Sequence, residues 1–201
     1  MNRKQRENLL RRREMLEAAR KLFLKKGFDN VTMVEIARKA EFSRVTLYSY
    51  FKSKYEIFYE LISQAFHDDF DKYLSQIVNV SSSHEKLVIY GHNQYEFFKR
   101  EPGYHLLTVQ YRTQAGLRLN LSENTIKILQ ERRERMDSQF HTIFREGIRN
   151  GEFRSDLNIE VAITYFLKAI FAIVHPYVFN PRSHLSDLDI EMEYLLRAFQ
   201  V

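Results

Sequence analysis

An all-α fold is what this sequence predicts, and three observations carry the prediction. Apolar residues recur at intervals of three and four, the spacing that lines one face of a helix, and no segment alternates with the period of two that marks a strand. Hydroxyl and carboxylate residues stand three apart ahead of several apolar runs, the signature of a helix start. The 201 residues include only 6 Gly and 3 Pro, so chain breakers are few. With 44% hydrophobic and 14% aromatic residues there is material for a packed interior, which excludes disordered and low-complexity classes. The absence of Cys excludes a disulfide scaffold, a thiolate metal site and a Cys nucleophile.

The elements follow in order. Leu16, Ala19 and Phe23 line a first helix that Gly27 stops. Thr32 and Glu35 form a capping box for a second helix, reaching about Ala40. Glu41-Phe42-Ser43 is a three-residue turn into a third, from Arg44 to Phe51, with Ser43 as its N-cap. A box at Ser53 and Glu56 opens a long stripe of Phe58, Leu61, Ile62, Ala65, Phe66, Phe70 and Tyr73, and another at Ser82 and Glu85 opens the next helix. Breaks are expected at residues 78–83, 101–103, 116–122, 150–156 and 176–183. Ser122, Asn158 and Ser186 are read as further N-caps. Ile126, Leu129, Met136, Phe140 and Ile143 line one later helix, and Leu188, Met192, Leu195, Leu196 and Phe199 the last. The total is about nine helices.

Residues 161–179 are the one stretch that invites a membrane reading. Lys168 near its middle would cost about 2.5–3.5 kcal/mol in a bilayer, and His175-Pro176 is expected to break the run. A helix buried on nearly all sides by protein is expected instead. Glu14, Glu17, Arg20 and Lys21 interrupt any apolar run after the basic start, so no secretory signal is read and a cytoplasmic location is expected.

Charge divides the chain. Residues 1–56 hold 15 Lys and Arg against 7 Asp and Glu, a net charge of +8, whereas the remainder holds 16 against 19. A basic head (1–56) on a mildly acidic body (57–201) points to a polyanionic partner for the head alone. The head also has the make-up of a helix-turn-helix. Ala37 and Ala40 allow close crossing, while Ile36, Phe42, Leu47 and Phe51 close a small core. The face left over on the third helix carries Ser43, Arg44, Thr46, Tyr48, Ser49 and Tyr50, and such a helix fits the major groove, about 12 Å wide.

From Ala18 through Phe23, Gly27-Phe28, Val31-Thr32, Ile36-Ala37, Ala40, Phe42-Ser43, Thr46-Leu47-Tyr48, Tyr50-Phe51 and Ser53-Lys54, the chain resembles the DNA-binding head of the TetR-type transcriptional regulators. The resemblance implies an all-helical homodimer of about nine helices, whose last two long helices form the dimer bundle, and a body cavity whose filling by a small molecule releases DNA. Glu146 to Phe153 is similar to the turn many members place before those helices. Carried over by residue, it puts Arg44, Val45 and Ser49 toward base edges, and Thr46, Tyr48, Tyr50, Lys54 and Thr32 toward phosphates. Ser43 offers its helix N-terminus to phosphate as well. Arg3, Lys4 and Arg6 fit either a flexible arm or a solvated basic tail. The family usually has Gly where this chain has Glu41, at a position expected to be left-handed.

The body holds most of the aromatic residues. Phe66, Phe70, Tyr95, Phe98, His105, Tyr111, Phe140, Phe144, Tyr165 and Phe166 are candidates for a ligand cavity, although plain core packing suits each of them as well. Val161, Ala162, Tyr165, Phe166, Ala169, Ile170, Ile173 and Val174 cover more than one helix face, which suits a twin subunit on the second face. His67 and Asp71 have metal-ligand spacing but no third ligand, so an ion pair is expected and no metal, cofactor or enzyme chemistry is assigned. The function expected is a ligand-responsive repressor that binds a palindromic operator as a dimer. A ligand-independent architectural DNA binder is the alternative, and a helical enzyme or lipid-binding protein docking its basic head on membranes a third.

Overall fold

The structure, a computed structural model, describes residues 2–100, 102–103, 121–179 and 185–200. Eight helices fall within them: α1 Arg3–Lys26, α2 Met33–Lys39, α3 Arg44–Tyr50, α4 Lys54–Ile77, α5 Ser83–Arg100, α6 Glu123–Arg149, α7 Ile159–Phe179 and α8 Leu185–Arg197. No strand occurs among the described residues. The stretch between the breaks expected at 101–103 and 116–122 lies outside them.

Local chemistry sets the boundaries. α1 begins far earlier than Leu16, because Asn2 and Gln5 form a reciprocal capping box. Residues 3–13 are therefore regular helix and not a flexible arm. Gly27, at φ 77°, ends α1 and donates its N–H to the Phe23 carbonyl at 2.9 Å. The Thr32–Glu35 box starts α2 as expected. Two other boxes are only half made. Ser53 accepts the Glu56 N–H, but the Glu56 carboxylate turns to other donors. At the start of α5 the Ser82 hydroxyl accepts the Glu85 N–H, while the distant Glu152 accepts from the Ser83 and His84 N–H groups at 2.9 and 3.0 Å and from the Ser82 hydroxyl. Burial pushes the Glu152 carboxyl up, yet these donors more than offset it and hold the group below the usual range. Asn158 caps α7 through the Val161 N–H, whereas Ser186 sits inside the first turn of α8.

The described residues form two compact units, and the boundary runs through α4 between Ala65 and Phe66. The first unit holds α1 to α3, the start of α4 and the start of α6 as far as Gln130. Met15, Phe23, Phe28, Ile36, Leu47 and Phe51 are its core, with the Phe28 and Phe58 rings 4.6 Å apart. The second unit packs α5 against α7 and α8. Phe140 lies at its centre, with Tyr90 5.0 Å away edge-on and Phe70 and Phe166 within 6.0 Å. Phe144, Phe153 and Phe199 make an adjoining cluster. Gly147 lets Phe153 lie on α6: a Cβ there would meet the ring at 2.2 Å. Gly91 likewise admits Met192, so α8 lies close on α5.

α7 corrects one expectation. Pro176 lies inside the helix and does not end it, as α7 continues to Phe179. Within one chain α7 leaves a face open: Val161 and Tyr165 are 63% and 53% exposed, on a face that also carries Lys168 and Ala172. By length and composition alone, residues 159–177 could cross a membrane. On α8 the stripe from Leu188 to Phe199 is turned into its own unit, leaving Ile190 and Tyr194 outward.

Candidate nucleic-acid interface

The turn between α2 and α3 is built from backbone hydrogen bonds. The Phe42 N–H reaches the Ala37 carbonyl at 3.0 Å, and the Glu41 N–H the Arg38 carbonyl at 3.2 Å. This geometry forces Glu41 to φ 60°, the one left-handed non-Gly position among the described residues. Ala37 is buried, as the close crossing of α2 and α3 requires. Glu35, the carboxylate of the α2 cap, is held down to about 2 by the Lys26 ammonium at 2.6 Å, then by the Thr32 N–H and hydroxyl.

The outer face of α3 is open. Val45 is 81% exposed, and Ser43, Arg44, Tyr48 and Ser49 are exposed beside it. Ser43 caps the helix through the Thr46 N–H at 3.0 Å, and its hydroxyl lies 2.8 Å from that of Thr46. Ser49 donates its hydroxyl to the Thr46 carbonyl. An exposed Val beside an Arg, on a helix whose other face is fully packed, offers an apolar surface and a fork of donors to whatever groove the helix enters.

Two expected phosphate ligands are otherwise engaged. Lys54 donates to the Phe28 and Asp29 carbonyls, both at 3.1 Å, and lies 4.6 Å above the Phe28 ring, so it clamps the loop after α1 to the start of α4. Tyr50 donates its hydroxyl to the Asn8 side chain at 3.0 Å.

The far end of α3 is held by charge. Arg12 binds the Glu60 carboxylate with two of its nitrogens, donates to the Tyr50 carbonyl at 3.0 Å and lies 4.3 Å over the Phe51 ring. Beside it, buried Glu56 accepts from the Lys52 N–H at 2.6 Å and from the hydroxyls of Ser122 and Thr125. Burial pushes the Glu56 carboxyl up, but the two hydroxyls, the Lys52 N–H and the Arg12 charge hold it below the usual range. The start of α6, capped by Ser122, is thus fastened to the corner between α3 and α4.

In the second unit the candidate ligand residues are mostly core. Phe70, Tyr95, Phe98, Phe140, Phe144 and Phe166 are buried, and Phe66 is half-buried with Phe97 5.7 Å away. Tyr165 lies on the outer face of α7 against Phe199, not among the enclosed rings. His105 and Tyr111 lie outside the described residues. A shallow groove of about 450 Å³ opens between α4 and α5, lined by Lys72, Gln76, Ile89, His92, Asn93 and Glu96, none of them anticipated from sequence. Deeper between the same helices, Asp69 accepts from the Gln94 amide at 3.1 Å; burial pushes its carboxyl up to about 6, against the pull of Arg100, Lys72 and Gln94. His67 does pair with Asp71, at 3.7 Å.

Residues 15–61 match the family model described as bacterial regulatory proteins, tetR family. The head of this chain is thus of the TetR-family type. Among its relatives, the HTH-type transcriptional repressor KstR2 of Mycolicibacterium smegmatis is 25% identical over 92% of this chain and 87% of its own length. The HTH-type transcriptional regulator QacR of Staphylococcus aureus is 25% identical over 86% of this chain and 90% of its own. In fold, the chain is similar to the transcriptional regulator FadR of Bacillus subtilis in complex with stearoyl-CoA, at a TM-score of 0.71 and 19% identity, covering 93% and 98% of the two chains. This chain is accordingly a regulator of transcription with a helix-turn-helix DNA-binding head, and not an enzyme. What a reading of its residues missed is the framing of the head: Arg12 is joined to Glu60 across 48 positions and Glu56 to Ser122 across 66, and no local spacing signals such a bond.

Proposed function

We propose that this TetR-family regulator is a ligand-responsive repressor that acts as a homodimer on a palindromic operator in the cytoplasm. The observation that carries the reading is the outer face of α3, where Arg44, Val45, Tyr48 and Ser49 stand exposed on a helix fixed at both ends by Ser43 and Arg12. In this reading Arg44, Val45 and Ser49 address base edges. Thr32, Ser43, Thr46 and Tyr48 address phosphates, while Tyr50 and Lys54 chiefly hold the frame. A second copy covers the exposed face of α7 and α8, where Val161, Tyr165, Ile190 and Tyr194 are apolar and unburied. Twofold symmetry then calls for half-sites about 34–36 Å apart, or a multiple of that distance.

The effector is a small, largely apolar or aromatic molecule taken up among the body aromatics, with Phe66, Phe70, Tyr95, Phe98, Phe140, Phe144 and Phe166 as its surroundings. An aromatic interior and the stearoyl-CoA in the name of the FadR neighbour support an acyl thioester as the first probe. Selection from a random DNA library, sedimentation of the protein with the selected duplex, and release by a panel led by stearoyl-CoA test the reading. A two-to-one complex on an inverted repeat is expected. Equal affinity for selected and random DNA would leave the architectural alternative.

A further inference from the structure

We propose that the first three turns of α1 are a rigid basic strut that grips the DNA backbone beside the half-site read by α3. The inference rests on the DNA-binding reading above and extends it to residues outside the helix-turn-helix. Core packing of α1 begins at Met15, so residues 3–14 project as helix over about 18 Å. A projecting helix of this length needs a reason to stay folded, and the Asn2–Gln5 box supplies one at its free end. Its side chains are cationic. Arg11 is paired with Glu7 and Arg12 with Glu60, which leaves Arg3, Lys4, Arg6 and Arg13 exposed and without an acidic partner among the described residues.

The strut is aimed by α3 itself. Tyr50, in the last turn of α3, donates to Asn8 at 3.0 Å, and its carbonyl accepts from Arg12. Two bonds one helical turn apart hold the axis of α1 against the end of α3. Lys4 lies one turn beyond Asn8, about 6 Å along the axis. When α3 occupies a groove, these bonds carry Arg3, Lys4 and Arg6 to a fixed place along the adjoining strand. Held by a rigid helix, the charges lose less freedom on binding than they would on a loose tail.

Two variants separate the strut from a loose arm. In Arg3→Gln/Lys4→Gln/Arg6→Gln the helix stays and the charge goes. In Leu9→Pro every charge stays, but the ring breaks the helix between the basic end and the head. Leu9 is exposed, so neither variant touches the core. Affinity for the selected operator is measured from 0.05 to 0.2 M salt, with hydroxyl-radical footprints. The triple variant is expected to lose about tenfold in affinity at 0.15 M and to flatten the salt slope by about 2 to 3, near 0.9 for each phosphate that is no longer neutralised. Leu9→Pro is expected to lose several-fold, and both to lose protection flanking the half-site. Wild-type affinity and slope in the triple variant overturn the proposal, as does wild-type behaviour of Leu9→Pro beside a weakened triple variant, which identifies a flexible arm. A wild-type protein that selects no operator overturns the DNA reading and this inference together.

Discussion

The two units of this regulator are each held together by different means. The head is a frame of short capped helices whose ends are pinned by charge-assisted hydrogen bonds, at Arg12, Lys54 and Glu56, around a modest core. The body is a mass of interlocked rings centred on Phe140. The difference follows from what each surface must do. A helix that presents its outer face to a partner can bury only its inner one, so polar bonds at its ends must fix its position. A unit that gathers apolar side chains gains stability from area and packing.

Substitutions can break or sharpen this contrast. Phe140→Ala should have the largest effect, about 3–5 kcal/mol of lost stability, because nothing small can refill the space among Tyr90, Phe70 and Phe166. Chemical denaturation measures it. Arg44→Ala should leave the melting temperature unchanged, since the side chain is exposed, yet cost about 1–3 kcal/mol of discrimination between operator and random DNA. Loss of melting temperature without loss of discrimination would reverse the roles given to the two units.

Asp69 departs from the apolar logic of the body. With its carboxyl pushed up to about 6, the folded chain keeps a proton that the unfolded chain releases near pH 4. Stability therefore falls as pH rises through that window and stays lower above it. Asp69→Asn should raise stability at pH 8 by about 2 kcal/mol and flatten the profile between pH 4 and 6. Denaturation midpoints across that range check both. The smallest change is Glu41→Gly, which relieves the left-handed turn at φ 60° and should add about 1 kcal/mol with operator binding intact. A lower melting temperature would show that the strain lies elsewhere.

Much of the head was legible in the residues. Thr32 and Glu35, the turn at Glu41 and the open face of α3 all act over three or four positions, the range in which spacing carries meaning. The ends of that frame were not, because Arg12 looks like one member of a basic run until Glu60 and the Tyr50 carbonyl are beside it. Glu56 reads as half of a local box, yet its carboxylate faces Ser122 and Thr125. In the body the stripes marked which residues were apolar but not which way each faced. Tyr165 and Phe166 are neighbours in sequence, and one is exposed while the other is enclosed.

The cap on α5 has a bearing on biosynthesis. Its carboxylate, Glu152, comes off the ribosome 68 and 69 residues after the amides it receives. At elongation speeds of about 5–20 residues per second, the start of α5 waits roughly 3–14 s for that partner. Through that interval the Ser83 and His84 amides lack the acceptor that closes the start of α5 in the folded chain.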